Sequence, residues 1–379
     1  MVKIFVTGDN HIGRKYDRYP EIKAKLIESR FECLQDMVIK AEEEGCDFFV
    51  VTGDLFDNIN TIKVGDVKKV VKILSAFNGR VLVLPGNHDY YTGDDKVWRD
   101  FENALSSSDH NITVLNEFKP YTFDDVEDKD ITIYPAFCHS KHSEENNLGW
   151  IKNTEVDADA SINIGIAHGA LKGVTPDIKE EYFLMSEEEL NSIPVDVWLI
   201  GHTHIAYPGD LDEIEETTGY KIFNAGTHEQ TDLSNNSEGD CFIIRIEKEH
   251  EKATVYAKKY ISGKIRYYDI KVHLGTGMDL KGSLEKAVEC YATNSVIRVT
   301  FSGTVSKEDY EDRKKIYDDV LCKYLTFEVN DDELSEEITI EKIRSEFAET
   351  SFAAQFLEQL IDEPMELQMA YKMLQECIE

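Results

Sequence analysis

The residues best suited to chemistry stand in five short segments. They are Gly8-Asp9-Asn10-His11, Gly53-Asp54-Leu55-Phe56-Asp57, Gly86-Asn87-His88-Asp89, Ala167-His168-Gly169 and Gly201-His202-Thr203-His204. Each lies at or just beyond the end of an apolar, β-rich run, and strand ends are where an α/β sheet assembles a site. One Asp-x-His triplet is commonly a turn; five such segments in one chain are a pattern. Of the 11 histidines, five fall inside them. Imidazole and carboxylate donors suit manganese, iron or zinc, and not the thiolate-loving metals. Residues i and i+2 of a strand share a face, so Asp9 with His11, and His202 with His204, are expected to point the same way.

In this order the segments resemble the calcineurin-like metallophosphoesterase superfamily, whose pattern reads Asp-x-His, Gly-Asp, Gly-Asn-His-Asp or Glu, a lone His, and Gly-His-x-His. The resemblance implies two divalent metal ions, manganese first, with iron or zinc as alternatives. Asp9, His11, Asp54 and His204 would hold one ion; Asp54, Asn87, His168 and His202 would hold the other, Asp54 bridging. His88 would be the catalytic histidine outside the ligand set. Two cations about 3.5–4 Å apart can activate water and neutralise charge on a phosphate, which agrees with these roles. Asp57 and Asp89 are expected to orient ligand histidines.

Protein phosphatases of the superfamily typically read Gly-Asp-x-Val-Asp-Arg-Gly and Gly-Asn-His-Glu. The forms here are instead similar to the SbcD nuclease family, a DNA-end-processing subunit that works with an ATPase of the structural-maintenance (SMC) type. Asn224 to Thr231 looks like that family's segment after the last His-x-His, with Ala225 where proline is common and Thr227 where serine is common. The resemblance implies DNA as substrate, a homodimer, and an SbcC-like SMC-type ATPase partner gripped by C-terminal helices. Asp57 stands where some members carry histidine, which leaves the balance of exonuclease and endonuclease action open.

The elements that must position these residues read as an α/β fold. Strand patterns at Val2–Thr7, Asp47–Thr52 and Arg80–Leu84 alternate with helical ones at Glu21–Glu44, Lys63–Phe77 and Val97–Leu105. The later half is strand-heavy, so the expectation is a two-sheet metallophosphoesterase sandwich flanked by helices over residues 1–274. Glycines 275 and 277 suggest the boundary. A small α/β capping domain follows at 281–330, then an acidic linker at 331–348 and a helical pair at 349–379. That pair carries apolar residues including Phe352, Phe356, Leu357, Leu360, Met365, Leu367, Met369 and Met373, fit to pack on their own domain or to bind the ATPase. The helix at Val97–Leu105 is a candidate dimer element.

Composition sets limits. Apolar residues make up 41% of the chain, enough for a sizeable core. No apolar run approaches the roughly 18 residues of a membrane span, so no membrane association is expected. Met1 to Asp9 enters a strand pattern at once, and the seven cysteines are scattered without Cys-x-x-Cys spacing, so a reducing cytoplasm is expected. The net charge of −33 argues against a polyanionic partner. One local feature points the other way: Lys258, Lys259, Lys264 and Arg266 interleave with Tyr260, Tyr267 and Tyr268 around a possible Ser262-Gly263 hairpin, a pattern able to hold DNA or simply to protect a sheet edge. The alternative function is a small-molecule or cyclic-nucleotide phosphodiesterase or phosphatase with the same dinuclear site.

Overall fold

The computed structural model describes residues 1–105, 110–126, 129–156, 161–175, 179–235, 237–250, 252–275 and 277–377. The chain divides into two units, Met1–Arg266 and Tyr267–Glu379. In the first unit, strands and helices alternate as β1 (Val2–Thr7), α1 (Lys23–Glu43), β2 (Phe48–Val51), α2 (Val64–Leu74), β3 (Arg80–Val83), α3 (Lys96–Ala104) and β4 (Ile112–Val114). Then come β5 (Tyr121–Val126), β6 (Lys129–Ala136), α4 (Gly149–Lys152), β7 (Ser161–His168), α5 (Glu187–Ser192) and β8 (Val197–Gly201). The unit ends with β9 (Thr217–Thr218), β10 (Ile222–Asn224), β11 (Asp240–Glu249) and β12 (Lys252–Ile261).

These strands form two sheets, ordered β4-β3-β2-β1-β11-β12-β9 and β10-β8-β7-β6-β5. Alternation along each strand decides the layers. Val2, Ile4, Val6, Phe48 and Val50 face Ile131, Ile133, Ile162, Ile164, Val197 and Leu199 of the second sheet in one core. The opposite side chains, Phe5, Phe49, Val51, Val81 and Val83, pack beneath Leu34, Met37, Val70, Leu74 and Trp98 of helices α1 to α3. On the outer face of the second sheet, Tyr134, Trp198 and Ile200 meet Ile151 and Leu190 of α4 and α5. The unit is thus the expected sandwich flanked by helices. Helix α3 buries Val97, Trp98 and Phe101 in its own core, so its apolar side is occupied within the chain.

The second unit holds β13 (Arg266–Leu274), α6 (Leu280–Val288), β14 (Ser295–Val305), α7 (Lys307–Leu321) and β15 (Thr326–Glu336), followed by α8 (Ile340–Glu346), α9 (Phe352–Gln359) and α10 (Pro364–Glu376). The division falls at Arg266 and not at 274, because β13 joins the sheet β13-β14-β15 instead of pairing back onto β12. The expected hairpin at Ser262-Gly263 is therefore absent. Ser262 Oγ donates to the His228 carbonyl at 2.6 Å, and this buried crossing is not an exposed tip. The acidic linker is likewise corrected: Asp331 to Glu336 continue β15, paired in parallel with β14, and Ile340–Glu346 is helical. One side chain per few residues suffices at an edge strand, and Leu334 supplies it, 3% exposed.

Helices α8, α9 and α10 share a small core of Ile343, Phe347, Ala354, Leu357, Leu367 and Tyr371. Phe352, Phe356, Met369 and Met373 from the expected apolar stripe are exposed instead, while the side chain of Met365 lies outside the described residues. Among the described residues no helix is long and apolar enough to cross a membrane.

Candidate metal centre

Parallel strands deliver the five segments to one place. Beyond the carboxyl ends of β1, β2 and β3 stand Asp9 and His11, Asp54 and Asp57, and Asn87 and His88; from the other sheet come His168, the last residue of β7, and His202 and His204 after β8. Asp9, His11, Asp54, Asn87 and His168 are buried, whereas His88, His202 and His204 are half-buried and open the site to solvent.

The backbone there is not extended. Asp9 (φ 48°), His11 (φ 44°), Asp54 (φ 53°) and His202 (φ 102°) all occupy positive φ, a conformation costing about 1–3 kcal/mol for each non-glycine residue. Local hydrogen bonds hold it: Asp9 N–H donates to the Gly53 carbonyl at 3.0 Å, and His11 N–H to that of Asp54 at 2.9 Å. The strands end at Thr7 and Gly201, so strand periodicity does not set these directions: Asp9 and His11 do converge, together with His204, whereas His202 and His204 diverge. His202 turns toward Asn87 and His204 toward His11. Gly86 is required by space, as a Cβ there would lie 2.2 Å from Asp54 Oδ1.

The donor atoms sit at spacings that suit cations. His11 Nε2 and His204 Nε2 are 3.0 Å apart. Asn87 Oδ1 lies 3.0 Å from both His168 Nε2 and His202 Nδ1. Neighbouring ligands each about 2.1 Å from one ion stand about 3 Å apart in octahedral geometry. Between the two groups Asp54 turns Oδ2 to His11 Nε2 at 3.7 Å and Oδ1 to His168 Nε2 at 3.5 Å. Asp9 Oδ1 lies 3.7 Å from His204 Nε2. Nitrogen and oxygen donors of this kind fit two divalent cations, with Asp9, His11 and His204 on one side, Asn87, His168 and His202 on the other, and Asp54 between.

Electrostatics favours the same use. Burial pushes His11 and His204 below the ordinary histidine value, keeping their lone pairs available. Burial would also lower His168, but the carboxylates of Asp54 and Asp9 outweigh it and raise it to about 9. Asp54 is drawn down despite its burial by His168, His11 and His88. Burial raises Asp9. A cation bound here would replace the protons that the raised values hold on His168 and Asp9.

His88 donates its backbone N–H to Asp54 Oδ1 at 2.8 Å, and its Nδ1 meets the Asp57 carbonyl oxygen at 2.8 Å. A carbonyl only accepts, so Nδ1 carries the hydrogen and Nε2 is left for substrate. The Asp57 carboxylate lies 3.5 Å from His11 Nδ1, placed to orient that ligand. Asp89 behaves differently from its expectation: it touches no ligand histidine. Its carboxylate accepts from Phe56 N–H at 3.0 Å and Gly86 N–H at 2.7 Å, tying the Asp54 loop to the Asn87 loop.

The segment from Asn224 to Thr231 is buried behind the site. Thr227 Oγ1 donates to the Asp9 carbonyl at 2.9 Å, and Glu229 Oε1 accepts from Ser29 Oγ at 2.5 Å and Ile265 N–H at 3.2 Å. Sequence reading missed Arg30, a fully buried guanidinium that reaches the Asn10 carbonyl at 2.8 Å; a lone arginine in a helix gives no periodic signal. Of the basic residues proposed for DNA, Lys258 contacts Glu44 at 3.0 Å, Lys259 contacts Asp240 at 2.7 Å, and Lys264 contacts Asp36 at 2.8 Å. Arg266 is half-buried. A cavity of about 560 Å³ lined by His202, Thr203, His204, Asp232, Glu238 and Lys259 adjoins the ligands.

A family model, calcineurin-like phosphoesterase, matches residues 2–206. The uncharacterized metallophosphoesterase YhaO of Bacillus subtilis is 26% identical over 213 residues, 52% of this chain and 49% of the relative, so the chain spans about half that relative's length. Among solved structures, calcineurin-like phosphoesterase YfkN of Bacillus subtilis aligns with a TM-score of 0.40 at 13% identity, covering 69% of this chain and 90% of that one. The protein TT1561 of Thermus thermophilus aligns with a TM-score of 0.39 at 12% identity, covering 66% of this chain and 99% of that one.

Proposed function

This chain belongs to the calcineurin-like phosphoesterase family, and on that premise we propose that it is a metal-dependent DNA nuclease, hydrolysing phosphodiester bonds at DNA ends in double-strand-break repair as the partner of an SMC-type ATPase. The observation that carries the phosphoester chemistry is the position of Asp54, one oxygen toward His11 and the other toward His168, between two sets of nitrogen and oxygen donors. Bound divalent cations, with manganese the favoured pair, supply charge neutralisation at the phosphate and acidify the attacking water. Asp54, Asn87 and the four ligand histidines hold the phosphate's surroundings fixed. As imidazolium, with Nδ1–H held by the Asp57 carbonyl, His88 would donate from Nε2 to the phosphate or give that Nε2 proton to the leaving oxygen.

The DNA-end reading rests on the form of the motifs, Gly-Asp-Leu-Phe-Asp, Gly-Asn-His-Asp and Gly-Thr-x-Glu, and the ATPase partner on the exposed Phe352, Phe356, Met369 and Met373 of the last two helices. A second reading, a small-molecule phosphodiesterase or phosphatase, is favoured by the net charge of −33 and by the acidic partners of Lys258, Lys259 and Lys264. The deciding experiment compares manganese-dependent degradation of a linear duplex with hydrolysis of bis(p-nitrophenyl) phosphate, each with and without the ATPase. Duplex loss that vanishes in chelator and in His88→Ser supports the nuclease; hydrolysis of the ester alone, with the ATPase present, selects the second reading.

A further inference from the structure

Arg30 lies on α1, outside all five motif segments, and is 1% exposed. A buried arginine in a fold whose charge is already strongly acidic needs a structural reason, because its desolvation is costly unless every donor is used. Here all three nitrogens are used. Nε donates to the Asn10 carbonyl at 2.8 Å. One terminal nitrogen donates to Tyr16 Oη at 3.1 Å and the Glu229 carbonyl at 3.4 Å. The other donates to the Asp9 carbonyl at 3.4 Å and to Thr227 Oγ1 at 3.3 Å. Two of these acceptors are the consecutive peptide oxygens of Asp9 and Asn10, in the turn where Asp9 and His11 take positive φ.

We infer that Arg30 is a positioning residue that presets the Asp9–His11 half of the metal centre. The guanidinium fork is rigid and planar, so fixing two successive carbonyls also fixes the peptide planes that aim the Asp9 carboxylate and the His11 ring. Thr227 closes the same turn from the other side, donating to the Asp9 carbonyl at 2.9 Å while accepting from Arg30. The compensating charge is Glu229, 2% exposed, whose carboxylate is itself held by Ser29 Oγ and Ile265 N–H. None of these hydrogen bonds reaches Asn87, His168 or His202. The assignment is thus asymmetric: Arg30 acts directly on the Asp9–His11 half, and on the other only through the His202 N–H that the Asp9 carboxylate accepts at 3.0 Å.

The inference rests on the dinuclear reading, and calorimetric titration of the metal-free full chain with manganese tests both. The wild type binds two ions. In Arg30→Met one site weakens by about 10- to 100-fold, the range seen when a residue behind a ligand is removed, while the second keeps its affinity. In Arg30→Lys, which keeps the charge but loses the fork, the same site weakens less. Hydrolysis of bis(p-nitrophenyl) phosphate then falls in kcat with KM unchanged. Thr227→Val, a near-isosteric change, carries the test if Arg30→Met does not fold, and weakens that same site. Equal weakening of both sites, or two unchanged sites in a folded variant, overturns the role of Arg30. A wild type that binds fewer than two ions overturns the dinuclear reading and this inference with it.

Discussion

His88 and His168 both stand at the candidate metal centre, yet they are expected to fail in different ways. His88 is anchored through its backbone N–H, which holds Asp54 and survives substitution, and through its Nδ1, so shortening its side chain removes the reacting nitrogen and a ring packed edge-on against His11 but leaves the ligand atoms in place. His88→Ser should lower kcat by about 10²- to 10⁴-fold, the usual worth of a positioned acid or base, while calorimetry still finds two manganese ions. Loss of an ion in that variant would instead make His88 a ligand. His168 is the opposite case. Its proton, held to about 9 by Asp54 and Asp9, must leave before Nε2 can bind a cation. The sign follows: at a pH of about 7.5 metal binding releases protons, and affinity climbs as pH rises toward about 9. In the metal-free protein, the raised value contributes stability that is present below the ordinary histidine value and is lost as pH rises through about 9. Titrations in buffers of different ionisation enthalpy count the released protons; none released would contradict His168 as a protonated ligand awaiting metal.

At the scale of elements, the strand ends are what make the site fragile, and they also explain what could be read in advance. Gly86 shows the first point. An added Cβ meets Asp54 Oδ1 at 2.2 Å and its backbone nitrogen at 2.3 Å, and neither can retreat, because Asp54 is packed and its carboxylate accepts from His88 N–H. Gly86→Ala should therefore weaken both metal sites together, in contrast to Arg30→Met; calorimetry showing one site untouched would mean that Asp54 does not lie between them. As for legibility, the structure brings all seven expected metal-ligand side chains and His88 to one place, and they were legible because ligand-type residues follow short apolar runs such as Val2 to Thr7 and Phe48 to Val51, buried at nearly every position. What periodicity could not supply was their direction, since the backbone leaves the extended region at Asp9 and His202. Asp331 to Glu336 escaped for another reason: an edge strand needs little apolar content, and a run of carboxylates reads as solvent-facing chain whether or not it is hydrogen-bonded. Ser262-Gly263 looked like a hairpin tip because tips and buried crossings use the same small residues.

Over the whole molecule, if the proposed DNA substrate is the right one, the question is how a chain with 41 basic and 74 acidic residues meets a polyanion. Lysines alone do not answer it. Lys258, Lys259 and Lys264 already face carboxylates at 2.7–3.0 Å, and a phosphate would have to displace Glu44, Asp240 or Asp36 to reach them. Each such exchange trades one anion for another, with few counterions released from the DNA. Duplex binding by a basic groove loses affinity with a log–log salt slope of about −0.9 per phosphate neutralised. This chain by itself should show a slope shallower than about −2, whatever its activity, because Lys258, Lys259 and Lys264 are already engaged by carboxylates. Adding the SMC-type ATPase should steepen the slope if that partner provides the basic surface and this chain provides the metal centre. Replacing exposed Phe352 and Phe356 by serine should return the slope to its shallow value while leaving hydrolysis of bis(p-nitrophenyl) phosphate intact, since those side chains contribute to no metal ligand. Fluorescence anisotropy of a labelled duplex across a salt series measures all three. A steep slope for the chain alone would mean that its ion pairs open readily to phosphate, and would move DNA recognition back onto the strand that carries Lys258 and Lys259.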